Sequence, residues 1–418
     1  ASLTISPSVR TTINVNSVLG VNYTSKAGQD VSLFITSDIP IVAERPIYFT
    51  FLGTTSGGSD VFGTNSPTQH FTFANGESIT GYYTFISILN PPGQAQANVV
   101  ATYYSGGAMI GQSTVTVPPG QRNTIFVNHD VPAGQQFLIK VDSTQPVVVE
   151  RPLYFHTSVS GINGTVAGGS SVQGVSPATS WYFASGSTGS QGMSSQENLI
   201  LANPDANGTK TDAAVTVTYS LANGTTKLVN IVVPAKGQVI ENVNADLNGI
   251  LGTIVAMKVL STNGIGIVAE RQQFFSAPSL TPTPTGVEVV GVTPGAQGLS
   301  SVYSFAEGHL GNSFSEYITL FNPNSSAITV SVTYFLTRGT SQYLSQQRLN
   351  IPARGVVQIP ANNFLNVPAS APGGISTDAS LVVQSLPGNG GTALPVVAER
   401  TLYFNFLGSM AGSTSIGG

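Results

Sequence analysis

Val147-Val148-Val149-Glu150-Arg151-Pro152-Leu153-Tyr154-Phe155 is a run of β-branched and aromatic residues interrupted by one acid–base pair. Such a run reads as a β-strand. It returns as Ile41-Val42-Ala43-Glu44-Arg45-Pro46-Ile47-Tyr48-Phe49, then at 267–275 and at 396–404, so that Arg45, Arg151, Arg271 and Arg400 follow one another at intervals of 106, 120 and 129 residues. These intervals are far longer than a solenoid repeat, so each unit is expected to own a hydrophobic core.

Outward from this segment the rest of the unit repeats as well. An aromatic opening appears as Phe71-Thr72-Phe73-Ala74, Trp181-Tyr182-Phe183-Ala184 and Tyr303-Ser304-Phe305-Ala306. An apolar strand ending in Asn-Pro follows, at Asn90-Pro91, Asn203-Pro204 and Asn322-Pro323. Next come β-branched runs closed by Tyr103, Tyr219 and Tyr334, and then Pro-rich turns at Pro118-Pro119-Gly120, Pro234-Ala235-Lys236-Gly237 and Pro352-Ala353-Arg354-Gly355. Short alternating runs punctuated by Gly, Pro, Asn and Asp are the mark of antiparallel strands in a sandwich or barrel. Asn223-Gly224 reads as a tight hairpin turn. The expected fold class is all-β: tandem antiparallel β-sandwich domains, Ig-like or jelly-roll-like, without significant helix.

The first unit is expected to be incomplete. Residues 4–16 match 116–128 without a gap, so the chain enters the repeat about halfway, without the aromatic opening and the Asn-Pro strand, and the missing half belongs either to another subunit or to flanking sequence. The expected organisation is a half-domain at 1–53, sandwich repeats at 54–155 and 156–275, and a linker, sandwich repeat and short tail at 276–418. Strands are expected at 3–6, 11–15, 31–37 and 41–49 of the half-domain. The Gly/Ser-rich stretches 50–69 and 156–179 read as connectors, and the Pro/Thr alternation from Ala277 to Pro284 as a stiff extended linker.

The V-A-E-R-P-x-Y-F segment, the aromatic-x-Phe-Ala opening and the Asn-Pro strand together resemble a tandem β-sandwich repeat of large secreted bacterial surface proteins. The resemblance covers nearly the whole chain, although Gln272-Gln273 departs from the motif in the third copy. It implies a cell-surface location and a structural or adhesive role.

Composition points the same way. Of the 418 residues 41% are hydrophobic, enough for packed cores, while only 8% are charged, where an ordinary soluble domain has about 25%. A surface of Ser, Thr, Asn, Gln and Gly is weakly repulsive and packs against other surfaces without burying many charges. The net charge of −4 is spread thinly, with no basic stripe for nucleic acid and no apolar run of membrane-spanning length. The absence of Cys excludes disulfides and thiolate chemistry. Sequons at Asn22, Asn163, Asn207, Asn223 and Asn324 are compatible with glycosylation.

The most tempting chemistry is the repeated pair Glu44/Arg45, Glu150/Arg151, Glu270/Arg271 and Glu399/Arg400. Adjacent strand residues point to opposite faces, so Glu and Arg cannot converge on one substrate as a clamp. The expected role is architectural, each charge bonding loop backbone or a partner across the unit and fixing strand register. A second set of basic residues recurs around the Pro-rich turn, as Arg10, Arg122, Lys236 and Arg354. Asn90, Asn203 and Asn322 read as turn-closing residues, and Phe71, Trp181 and Tyr303 as core plugs. His70, His129, His156 and His309 do not recur at equivalent positions, and no nucleophile elbow, P-loop or acidic calcium loop is present. Glu197 and Glu316 are equivalent to each other but to Thr84 in the second unit, which is not how a catalytic carboxylate pair is built.

No cofactor, metal site or enzymatic activity is expected. The expected function is a secreted structural protein, a subunit of a filament, sheath or surface layer assembling from copies of itself head to tail by β-strand complementation. The alternative is a surface adhesin or carbohydrate-binding stalk that meets surface glycans; a third reading is the non-catalytic accessory region of a secreted enzyme.

Overall fold

The computed structural model describes residues 2–21, 30–189, 194–248, 250, 252–277, 281–294, 298–311, 313–338, 341–367, 377–388, 391–406 and 409–417. Strands account for 61% of the chain and helix for 4%, and the chain is an all-β multi-domain sandwich protein.

Each complete unit is two four-stranded antiparallel sheets face to face, with the two-residue strand His309–Leu310 added to one sheet of the fourth unit. In the third unit one sheet runs Ser180–Ser187, Ile254–Ser261, Ala213–Leu221, Thr226–Val233, and the other Gly237–Asn242, Ser194–Asn203, Val268–Ala277, Thr281–Val290. The fourth unit repeats this order, with Val302–Phe305, Thr377–Leu386, Ile328–Arg338, Ser341–Ile351 facing Val356–Pro360, Phe314–Phe321, Val397–Phe406, Ser409–Ile416. In the second unit the strand Gln136–Ser158 is long enough to serve both sheets, pairing Thr68–Glu77 and Ala97–Ser105 through its first half and Tyr82–Leu89 and Thr165–Gln173 through its second. First-half and second-half strands therefore interleave. The Asn-Pro strand Ser194–Asn203 lies between Gly237–Asn242 and the Glu-Arg strand Val268–Ala277.

Period-two burial places each core. Tyr82–Leu89 alternates buried and half-buried positions, and the outer hairpin strand Thr226–Val233 exposes Leu228 and Val232 while burying Ile231 and Val233. Three large apolar clusters result, one per complete unit, centred on Phe73 and Ile139, on Trp181 and Phe183, and on Phe305 and Leu381. The openings Phe71, Trp181 and Tyr303 are buried.

The connectors are not linkers. Thr55–Phe62, Thr165–Gln173, Thr281–Val290 and Ser409–Ile416 are strands, each hairpinned onto the Glu-Arg strand of its own unit. The four pack side by side around a common axis lined by Gly58, Gly169, Val287 and Gly412. The end of the stretch expected to be a stiff linker opens the strand Thr281–Val290, with Thr283 exposed and Pro284 half-buried, and the strand becomes interior beyond it, where Thr285, Val287 and Val289 are buried.

The units close into a ring around this axis. Phe49, Phe155, Phe275 and Phe404 each meet an aromatic of the next unit edge-on: Tyr154 at 4.9 Å, Phe274 at 5.5 Å, Tyr403 at 5.0 Å and, from the fourth unit back to the first, Tyr48 at 5.2 Å between centroids. The same four phenylalanines fill space that only a glycine leaves open. A Cβ at Gly169 would lie 2.9 Å from Phe49 Cζ, one at Gly286 3.0 Å from Phe155 Cζ, and one at Gly412 2.7 Å from Phe275 Cζ; Gly58 stands likewise against Phe404.

The first unit departs from the other three. Among the described residues its Glu44–Phe51 strand pairs only with Thr55–Phe62. Residues 3–6, 11–15 and 31–37, expected as strands, form none, and Val15–Leu19 is instead one helical turn capped by Asn14. The reason is that a strand needs a neighbour for its backbone. In the complete units these segments pair with first-half strands, and the first unit has no first half among the described residues.

Candidate functional site

The Glu-Arg strands bring their charges together at four corners of the ring, always Arg of one unit with Glu of the next. The opposite-face geometry of neighbouring strand residues produces this: Arg151 looks forward to the third unit while Glu150 looks back to the first.

At the corner between the second and third units, Arg151 Nη2 lies 2.8 Å from Glu270 Oε2 and 3.0 Å from Glu288 Oε1, with all three side chains at most 1% exposed. The Ala74 backbone N–H donates to Glu270 Oε1 at 2.7 Å, and Asn75 Nδ2 donates to Glu288 Oε1 at 3.0 Å. Glu77 sits in the same cluster, accepting from Asn75 and Gln272. Burial pushes its carboxyl up to about 7, with Glu288 adding to the shift. Burial also raises Glu270 well above the usual carboxylate range, Arg151 offsetting only part of this.

The next corner has Arg271 Nη1 at 3.0 Å from Glu399 Oε2 as an ion pair, Arg271 Nε at 3.9 Å from Glu197 Oε1, and Ala184 N–H donating to Glu399 Oε1 at 2.6 Å. Burial pushes Glu197 up to about 7 despite Arg271 and the N–H of Ser187. At the ring closure Arg400 Nη2 lies 2.6 Å from Glu44 Oε2 and also pairs with Asp60, while Nη1 donates to the Glu307 carbonyl. Ala306 N–H donates to Glu44 Oε1 at 2.8 Å. Burial raises Glu316 beside it to about 7. Taking these charges out of water costs several kcal/mol per ion, which the pairings and the Ala N–H bonds offset. The corners make register and ring order specific.

The fourth corner is unfinished. Arg45 Nη2 meets Glu150 Oε2 at 2.5 Å, but the side chains are 29% and 16% exposed. Glu150 accepts a further bond from Ser171 Oγ; the backbone N–H that Ala74, Ala184 and Ala306 supply at the other corners has no counterpart among the described residues. The second basic set reaches backward around the ring: Arg10 to Glu307 at 2.7 Å, Arg122 to Asp30, and Lys236 over the Tyr104 ring at 5.8 Å.

A set of asparagines escaped the sequence reading. Asn128, Asn244 and Asn362, each in a short helical turn, accept from the backbone N–H of Thr84, Glu197 and Glu316 at 2.8, 2.9 and 2.8 Å. Each also donates to a carbonyl two residues earlier, of Tyr82, Ser195 and Phe314, so clipping the Asn-Pro strand in place. The signal was present: Asn follows Val or Ala at the same place in every unit, including Val15-Asn16.

The Asn-Pro asparagines are fully buried and bridge farther than their own turn. Asn90 Nδ2 donates to the carbonyls of Ala95 and Val117, Asn203 to Thr211 and Val233, and Asn322 to Ser326 and Ile351. His70 pairs with Asp142, His309 with Asp378, and His129 stacks edge-on against Phe126, each in a different setting. Of the sequon residues, Asn163, Asn207 and Asn223 are exposed, Asn324 donates its amide to the Pro395 carbonyl, and Asn22 lies outside the described residues.

No protein-family model and no curated protein matches the chain. Among solved structures, the CBM22-1–CBM22-2 tandem domain from Paenibacillus barcinonensis Xyn10C aligns at 9% identity over 60% of this chain and 85% of that one, with a TM-score of 0.15. The structure of infectious bursal disease virus Gx strain aligns at 10% identity over 85% and 79%, with a TM-score of 0.15. Bacteroides uniformis beta-glucuronidase 2 aligns at 9% identity with a TM-score of 0.12; 64% of this chain is covered but only 26% of that one, about a quarter of its length. Similarities this slight carry no argument about function.

Proposed function

We propose that the chain is a non-catalytic structural subunit of an extracellular assembly, a filament, sheath or surface layer, joined to its neighbour by strand complementation at the first unit. The observation that carries this reading is the open face of that unit. Ile13, Leu33 and Ile35 are 45%, 44% and 54% exposed, whereas the aligned Ile125, Ile139 and Val141 of the second unit are 5%, 0% and 0% exposed. An apolar face beside an unpaired strand edge favours addition of further strands. Three of the four motif pairs are spent on buried corners, which supports an architectural role rather than catalysis. The low charge supports packing against other subunits, and the neighbour expected from the sequence is a further copy. Electron microscopy of the purified chain tests this: regular assemblies are expected, and deletion of residues 2–40 should remove them while leaving the ring pairs of Glu44 and Asp60. Persistence of identical assemblies after the deletion would sink the reading.

A further inference from the structure

We infer that the first unit is a socket for one kind of segment, the first half of this same repeat, entering as an aromatic opening strand and an Asn-Pro strand. The inference rests on the first unit being the joining site and specifies what enters it. The other three units display the occupant. Everywhere else, the Glu of one unit takes a backbone N–H from the Ala of the opening strand in the preceding unit: Ala74 to Glu270, Ala184 to Glu399, Ala306 to Glu44. Glu150 is the remaining member of this series, and it flanks the first unit. Everywhere else, too, the Asn of the helical turn clips the Asn-Pro strand by one N–H and one carbonyl. Asn16, aligned with Asn128, stands exposed on the single helical turn of the first unit.

The apolar match is equally specific. Ile5, Ile13, Leu33, Ile35 and Ile41 align with Val117, Ile125, Ile139, Val141 and Val147, all buried against their own first half. The strand edge of Glu44–Phe51 away from Thr55–Phe62 is the edge that Val268–Ala277 and Val397–Phe406 give to Ser194–Asn203 and Phe314–Phe321. The three first halves of this chain are each held in their own sandwich. The segment that fills the socket is therefore one of the same repeat type that is not held in a sandwich of its own.

The test adds a synthetic peptide of residues 68–91, which holds both strands, to the full chain, and follows native mass and hydrogen exchange. A one-to-one complex is expected, with exchange slowed across 31–37 and 44–51. Asn16→Ala in the chain, a substitution at an exposed residue outside the ring corners, should weaken binding about tenfold by removing two hydrogen bonds. Ala74→Pro in the peptide removes the N–H destined for Glu150 and should weaken it at least as much. The inference is overturned if no complex forms, if both altered partners bind as well as the originals, or if a second copy covers residues 2–51 and the peptide cannot displace it. Assemblies that ignore the peptide would refute the socket and spare the assembly reading. Peptide binding by a chain that forms no assemblies would do the reverse.

Discussion

Replacing Arg151 with Met keeps the aliphatic stem and removes the charge. In the structure this leaves Glu270 and Glu288, both 1% exposed, facing one another without the guanidinium that lies 2.8 and 3.0 Å away. Breaking a buried pair by removing one partner costs about 3–5 kcal/mol, and here one cation serves two carboxylates, so the upper part of that range applies. Arg45→Met removes an arginine from a corner whose side chains are 29% and 16% exposed and which has a single carboxylate, so its cost should be about 1 kcal/mol. The two variants differ in pH dependence as well. Without Arg151 the stranded Glu270 carboxyl, already raised by burial, takes up a proton in the folded state, whose proton count then exceeds that of the unfolded chain. The deficit of Arg151→Met should therefore shrink on acidification, by up to about 1.4 kcal/mol per pH unit for each proton bound. Urea unfolding of parent and both variants at pH 8 and pH 5 measures all of this. Equal losses for Arg151→Met and Arg45→Met, unchanged between the two pH values, would refute the reasoning that buried corners hold the ring.

Three further outcomes follow from the same geometry. Glu77, Glu197 and Glu316 are each raised to about 7 by burial; groups protonated more in the folded than in the unfolded state lend stability that is full below about pH 4.5 and lost as pH rises to about 7, so Glu316→Gln should stabilise at pH 8 by up to about 3 kcal/mol and change little at pH 4, as thermal melts at the two pH values will show. Gly412→Val should drive a side chain into Phe275 at the axis, where even a Cβ would lie 2.7 Å from the ring, and cost about 1–3 kcal/mol or more by overpacking, with protease sensitivity rising first between the third and fourth units. A fragment of residues 178–292, which retains the axial strand Thr281–Val290, should unfold at higher urea than one ending at residue 278, because the Glu-Arg strand Val268–Ala277 loses its hairpin partner in the shorter piece; equal midpoints would mean that the axial strand contributes nothing within its own unit.

The repeat, the all-β class and the places of most strands in the complete units are legible in the residues alone, because alternation with period two and the Gly, Pro and Asn punctuation are local properties of the chain. The Glu-Arg motif is legible too, since it recurs four times, and so is the incomplete first unit, through the gapless match of 4–16 with 116–128. What the motif pairs with is not legible. Any of four arginines could meet any of four glutamates, and the sequence separations of the pairs formed, from 105 to 356 residues, carry no local signal. The axial strands were hidden for a related reason: Gly/Ser and Pro/Thr stretches have the composition of linkers, and their packing on one another, with a phenylalanine of the preceding unit lying against a glycine of each, depends on units distant in the chain. Strand-forming sequence likewise did not make strands of residues 11–15 and 31–37, since β structure is completed by a neighbour's backbone. The sequence by itself determined what each unit is made of; the ring order and the buried corners were decided by which units lie side by side, because ion pairs, edge-on aromatics and strand pairing all depend on groups that the chain brings together only in three dimensions.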